Sequence, residues 1–134
     1  MGKNKNLHAA KKAKNDEFYT RREDIEKEVG HYWDQLRGKR VFCPCDDYRT
    51  SNFVGYFRDN YDQIGLAGLT ATNYDIGDGA WKYTYNGRDE AVAKLEGNGD
   101  FRSPEITAIR DEHDVVITNP PFSLWREFFN WVNA

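Results

Sequence analysis

The tetrapeptide Asn119-Pro120-Pro121-Phe122 concentrates more chemistry than any other stretch of this sequence. The Asn119 side-chain oxygen accepts a hydrogen bond from an amine, and Pro120 offers a carbonyl with no N–H of its own. Two acceptors aimed at one planar amino group hold both hydrogens and draw the nitrogen toward tetrahedral geometry. A lone pair otherwise delocalised into a ring or carbonyl is thereby freed for attack. Phe122 offers a face on which a flat base or amide can stack, worth ~1–3 kcal/mol per base. Pro120 and Pro121 pre-set the backbone, so little conformational entropy is left to lose on binding. The structural alternative is a Pro-Pro strand stop followed by a core Phe.

The neighbouring residues favour the chemical reading. Residues 114–119 carry a β-branched run between polar ends, which predicts a strand, and Ser123 is placed to cap a last amphipathic helix through Leu124, Trp125, Phe128, Phe129 and Trp131. The tetrapeptide therefore sits at the C-terminal end of a strand, where open α/β sheets hold their ligands. Upstream, Ile25, Val29, Tyr32, Trp33 and Leu36 have helical spacing over Thr20 to Leu36, with Thr20 and Glu23 spaced as a capping box and Gly38 closing the segment. Residues 40–45 predict a buried strand running into Asp46 and Asp47. A Ser51-capped helix to Ile64 and a strand over 66–74 follow. Trp81 to Tyr85 alternates and meets Asn86-Gly87, which predicts a small hairpin excursion at about 80–95. Asp100 and Phe101 read as the end of a short strand or a loop, and Pro104 to Glu112 as a helix with proline in its first turn. The alternation predicts an α/β fold with a largely parallel sheet of about four core strands plus the hairpin.

Composition narrows the function classes. The sequence has 134 residues, 15% of them aromatic, enough for a core and against wholesale disorder. No apolar run reaches the ~18 residues of a membrane span, and the Lys/Asn-rich start lacks a signal core. Two cysteines do not make a disulfide scaffold or, as Cys43-Pro-Cys45 alone, a zinc site. No metal is expected, and a cytoplasmic setting is. The net charge of −3 divides unevenly: residues 1–40 carry a balance of +4 and the remainder −7. Residues 1–14 form a basic arm whose Lys11, Lys12 and Lys14 could follow a phosphate backbone, the alternative being a solvated tail.

Residues Lys14-Asn-Asp-Glu-Phe-Tyr-Thr20, Cys43-Pro-Cys-Asp-Asp47, Ser51-Asn-Phe53, Gly99-Asp-Phe-Arg-Ser103 and Asn119-Pro-Pro-Phe-Ser123 resemble, in that order, the EcoRI-type adenine-specific DNA methyltransferases. The resemblance implies a Rossmann-like methyltransferase domain over 15–134. It also implies S-adenosylmethionine as cofactor and methyl transfer to the exocyclic amine of a flipped adenine. It assigns Phe18, Tyr19 and Thr20 to the methionine end of the cofactor, and Cys43, Pro44, Cys45, Asp46 and Asp47 to the main cofactor loop. Asp100 and Phe101 fall to the cofactor adenine, and Asn119, Pro120, Pro121 and Phe122 to the target base. Asn73 and Asp75 both remain open for the ribose. One departure is the lack of a Gly-rich turn after the first strand, with no glycine between Arg40 and Gly55.

The motif suits any planar amino group, so an RNA base or a protein glutamine is an alternative substrate. A catalytically inert remnant binding cofactor, DNA or a protein partner is another. Four strands would leave the 115–118 strand at the sheet edge. Family members continue into more strands and a target-recognition region, so a truncated domain is expected, with a missing C-terminal part or partner chain covering that edge.

Overall fold

The computed structural model describes residues 20–134. The predicted arm, with Lys11, Lys12 and Lys14, and the motif residues Phe18 and Tyr19 lie outside the described residues. Five strands form one sheet: β1 (Arg40–Cys43), β2 (Gly68–Thr72), β3 (Trp81–Tyr85), β4 (Glu90–Lys94) and β5 (Val115–Val116), in the order β4-β3-β2-β1-β5. β1 lies parallel to β2 and to β5, whereas β2–β3 and β3–β4 are antiparallel. The sheet is therefore mixed, not largely parallel. The hairpin at Asn86-Gly87 is no excursion but extends the sheet, because β3 pairs along β2 from Leu69↔Tyr85 to Thr72↔Lys82. Asn86 Oδ1 accepts from the Arg88 and Asp89 amides and closes the turn.

β1 organises the packing. Its side chains alternate with the period of two of a strand. Val41 and Cys43 join a core with Ile25, Leu36, Val54, Phe57 and Ile64 on one face. Phe42 joins Phe101, Ile106, Ile109 and Phe128 on the other. The helices on the first face are α1 (Arg22–Val29), α2 (Trp33–Leu36), α3 (Asn52–Asp59) and α4 (Tyr61–Ile64). Those on the second are α5 (Pro104–Asp111) and α6 (Trp125–Val132). Ser51 caps α3, accepting from the Phe53 and Val54 amides, and Ser103 caps α5 with Pro104 in the first turn. Such caps are worth ~1 kcal/mol each.

Several predicted elements are shorter than expected. The helix read over Thr20 to Leu36 is interrupted by a 3₁₀ turn at Gly30–Tyr32, where glycine weakens the helix and Tyr32 leaves helical backbone at φ −115° and ψ 11°. The helix to Ile64 breaks at Asn60, which also leaves helical geometry. Thr20 caps nothing; its hydroxyl is drawn to Asn119 instead. Ser123 lies inside a 3₁₀ turn (Phe122–Leu124), and α6 begins at Trp125 without a side-chain cap. β5 has two residues rather than the run predicted to Thr118, since it pairs only with β1. Asp100 and Phe101 lie in a loop that follows β4. Among the described residues, no helix is long and apolar enough to cross a membrane.

Candidate active site

The parallel strands β5, β1 and β2 all point their C-terminal ends the same way, and the motif residues gather there. β1 continues into Asp46, whose amide donates at 3.0 Å to the carbonyl of Thr72, the last residue of β2. Across the other flank, the Cys45 amide donates to Thr118 Oγ1 at 2.9 Å, tying the exit of β1 to the exit of β5. Asp46 and Asn119 thus become neighbours although 73 positions apart.

Asp46 is 3% exposed and Asn119 2%. Asp46 Oδ1 accepts from Ser51 Oγ at 2.7 Å and from Asn119 Nδ2. Asp46 Oδ2 accepts from Thr118 Oγ1 and from the Asn119 amide at 3.2 Å. Burial pushes the Asp46 carboxyl above its ordinary range, and the bonds from Thr118, Ser51 and Asn119 only partly offset this. Among the described residues no lysine or arginine pairs with it.

On its far side Asn119 Oδ1 accepts from the Thr20 amide at 2.9 Å and the Thr20 hydroxyl at 2.6 Å. Asn52 Nδ2 in turn donates to the Thr20 carbonyl at 2.9 Å. Four separated sequence segments therefore meet in one network: Thr20, Asp46, Ser51–Asn52 and Thr118–Asn119. No described hydrogen bond takes the Pro120 carbonyl, whereas that of Pro121 accepts from the Leu124 amide at 2.7 Å. Phe122 is 50% exposed rather than a core residue, and Trp125 and Phe129 next to it in sequence are exposed as well.

The loops beyond β1 and β2 carry the other expected residues. Pro44 and Cys43 are buried, and burial raises both the Cys43 and Cys45 thiols, so neither is a ready thiolate. Burial also lifts the Asp47 carboxyl, but hydrogen bonds from Arg49 outweigh it and leave it below its ordinary range. Arg49 spans Asp47 and Asp78 at 2.7 and 3.2 Å. Hydrogen bonds from Arg102 likewise lower Asp100.

Asn73 is buried and fully engaged in its own turn. Its Nδ2 donates to the Gly79 and Tyr74 carbonyls, and its Oδ1 accepts from the Trp81 amide. Asp75 is exposed, with one carboxylate oxygen taken by the Gly77 and Gly79 amides, which lower its pKa. Phe101 is buried in the second core, edge-on to Phe128. Gly99 brings this loop against the end of β2: at φ +81° it lies so close that a Cβ would stand 1.9 Å from the Asn73 carbonyl oxygen.

Sequence reasoning missed the role of Thr118 at Asp46 and of Gly99 against Asn73, and did not single out Ile76, which is 74% exposed beside Asp75. A threonine before Asn119 and a glycine before Asp100 were the available signals. The donor set suits a cationic, ribose-bearing cofactor. Asp75, held by backbone amides alone among the described residues, can accept from a diol, and Ile76 offers apolar surface beside it.

A mixed α/β domain with its polar network at the C-terminal ends of parallel strands defines a class of ligand-binding proteins. Within that class, the chain belongs to the family described as adenine-specific methyltransferase EcoRI, whose model matches residues 6–133. It is 42% identical to the type II methyltransferase M.EcoRI of Escherichia coli over an alignment 145 positions long, gaps included, covering 95% of this chain and 44% of the relative. It is 40% identical to the type II methyltransferase M.MgeORF184P of Mycoplasma genitalium, covering 92% of this chain and 39% of the relative. M.MpnI of Mycoplasma pneumoniae is similar at 40%, with 91% and 38% covered. The chain thus spans about two-fifths of the length of these relatives. No solved structure matches.

Proposed function

We propose that this chain is the cofactor- and amine-binding portion of an adenine-specific DNA methyltransferase. The observation that carries the reading is the orientation of Asn119, with its amide nitrogen on Asp46 and its oxygen on Thr20. That oxygen is turned toward donors, as an acceptor for a substrate amino group must be. Adenine as the target is supported by the family description, and methyl transfer by the relatives' names as type II methyltransferases.

S-adenosylmethionine, when bound, supplies an electrophilic methyl group on a sulfonium. The chain's residues do the rest. Asp75 accepts from the ribose hydroxyls, being exposed, whereas Asn73 is buried with its side chain bonded within its own turn. Asp47 and Asp100 keep the cofactor rim acidic. Asn119 Oδ1 and the Pro120 carbonyl accept the two hydrogens of the adenine amine, and Phe122 stacks on the extruded base. Asn119 Oδ1 already takes two donors, the number its lone pairs allow. The Thr20 hydroxyl, now bonded to Asn119 Oδ1, turns away for the incoming amine while the Thr20 amide stays.

The test is transfer of labelled methyl from S-adenosylmethionine to duplex DNA, RNA and a glutamine peptide offered separately. Incorporation into DNA, recovered as N6-methyladenine, is expected. Equal or greater incorporation into RNA or peptide contradicts the reading.

A further inference from the structure

The orientation of Asn119 has to be set by something, because a carboxamide presents two ends of nearly equal shape and opposite hydrogen-bonding sense. We propose that Asp46 is a positioning residue for Asn119, not a ligand of the cofactor as the family resemblance implied. The inference rests on the reading above in one respect, that Asn119 Oδ1 is the acceptor for the amine.

A carboxylate offers about four lone-pair positions, and all four of Asp46 are filled from within the chain. Ser51 Oγ and Asn119 Nδ2 take Oδ1, while Thr118 Oγ1 and the Asn119 amide take Oδ2. Asp46 is as buried as Asn119, but a ligand would reach it only by displacing Ser51, Thr118 or Asn119 itself, whereas Asn119 Oδ1 is covered, among the described residues, by Thr20 alone. Flipping the Asn119 carboxamide would set its oxygen against a carboxylate oxygen and its NH2 against the Thr20 N–H and O–H. The contact with the carboxylate and the contact with the Thr20 N–H would both be repulsive, while the Thr20 hydroxyl could rotate to accept; the two-sided lock therefore rests on Asp46 and the Thr20 amide. A carboxylate performs this better than a neutral amide, being an acceptor only, with no alternative rotamer that donates. Ser51 and Thr118 hold the carboxylate itself in place, and Ser51 is fixed by capping α3.

The test compares the chain with its Asp46→Asn variant, which keeps shape and removes the obligatory acceptor. Two quantities are read: hydrogen exchange and chemical shift of the Asn119 side-chain NH2 by NMR, and affinity for S-adenosylmethionine by calorimetry. The expected result is exchange of the Asn119 NH2 at least tenfold faster, with backbone protection of Val41–Cys43 retained and cofactor affinity changed less than threefold. Loss of affinity by tenfold or more makes Asp46 a cofactor ligand and overturns the proposal, as does an Asn119 signal that does not move. If the unaltered chain binds no cofactor, the methyltransferase reading fails on its own, and the Asn119 signal alone judges Asp46. Should the variant not fold, a through-hydrogen-bond coupling between Asn119 Nδ2 and Asp46 Cγ in the unaltered chain decides: its presence supports the lock, and its absence overturns it.

Discussion

β1 and β5 are clasped by a carboxylate at each end, and the two clasps are built on opposite principles. At the N-terminal end, Asp114 accepts from the Arg40 amide at 2.9 Å and from its guanidinium at 3.1 and 3.2 Å, in a half-exposed position. At the C-terminal end, Asp46 is buried and accepts only from neutral donors. The Arg40 bonds hold the Asp114 carboxyl down to about 2, whereas burial pushes that of Asp46 up. The first arrangement favours its ionised form. The second keeps a charge where folding alone would not place one, and such costs collect at functional sites.

Substitutions at the two ends should therefore differ in size and in sign with pH. The largest effect is expected for Asp46→Ala, which strands three side-chain donors and one backbone amide. A loss of about 3 kcal/mol in urea unfolding is predicted, net of the relieved charge burial. A loss no greater than that of Asp114→Ala would erase the contrast. Next comes Asn119→Ala, expected to cost about 2 kcal/mol, because the buried Asp46 then loses a partner. The proposed methyl transfer should be lost as well, measured at a temperature where the variant remains folded. Ser51→Ala follows at about 1 kcal/mol, as a lost cap and a lost Asp46 donor.

Smallest, and most diagnostic, are the pH slopes. Asp114 ionises more easily folded than unfolded, so its contribution is present above pH ~4 and is lost as pH falls through about 2. Asp114→Asn should flatten that acid limb. Asp46 has the opposite sign: its raised carboxyl costs stability near neutral pH, and the cost shrinks on acidification. Asp46→Asn should therefore remove a stabilisation that grows toward pH ~4, and an unchanged profile would mean that the two ends do not differ.

Much of this contrast was hidden in the sequence. Periodicity located Trp81–Tyr85 to the residue, and side-chain chemistry identified the Ser51 cap and the Asn86-Gly87 turn, because these depend on neighbours in the chain. The placement of the 115–118 strand at the edge was also readable, since few strands were available to cover it. Strand pairing was not. The hairpin reading implied that Glu90–Lys94 pairs back on Trp81–Tyr85, but nothing local in Trp81–Tyr85 says that it also lies along β2 and extends the sheet. The same holds for the site. Asn119-Pro-Pro-Phe122 was conspicuous, but the bond from Thr20 spans 99 positions and competes with a capping role that local spacing suggested equally well. Asp46 and Asp47 are adjacent and alike in sequence. Only the parallel pairing of β1 with β5 turns one inward to Asn119 and leaves the other outside with Arg49.

The claim that joins these observations is that the C-terminal end of the sheet is a methyl-donor site, with Asp75 rather than Asn73 on the ribose. Calorimetric titration of the chain with S-adenosylmethionine tests it most directly. Saturable binding, weakened at least tenfold by Asp75→Ala with the fold intact, is the predicted result. No heat of binding at millimolar cofactor, or affinity indifferent to Asp75, would contradict it.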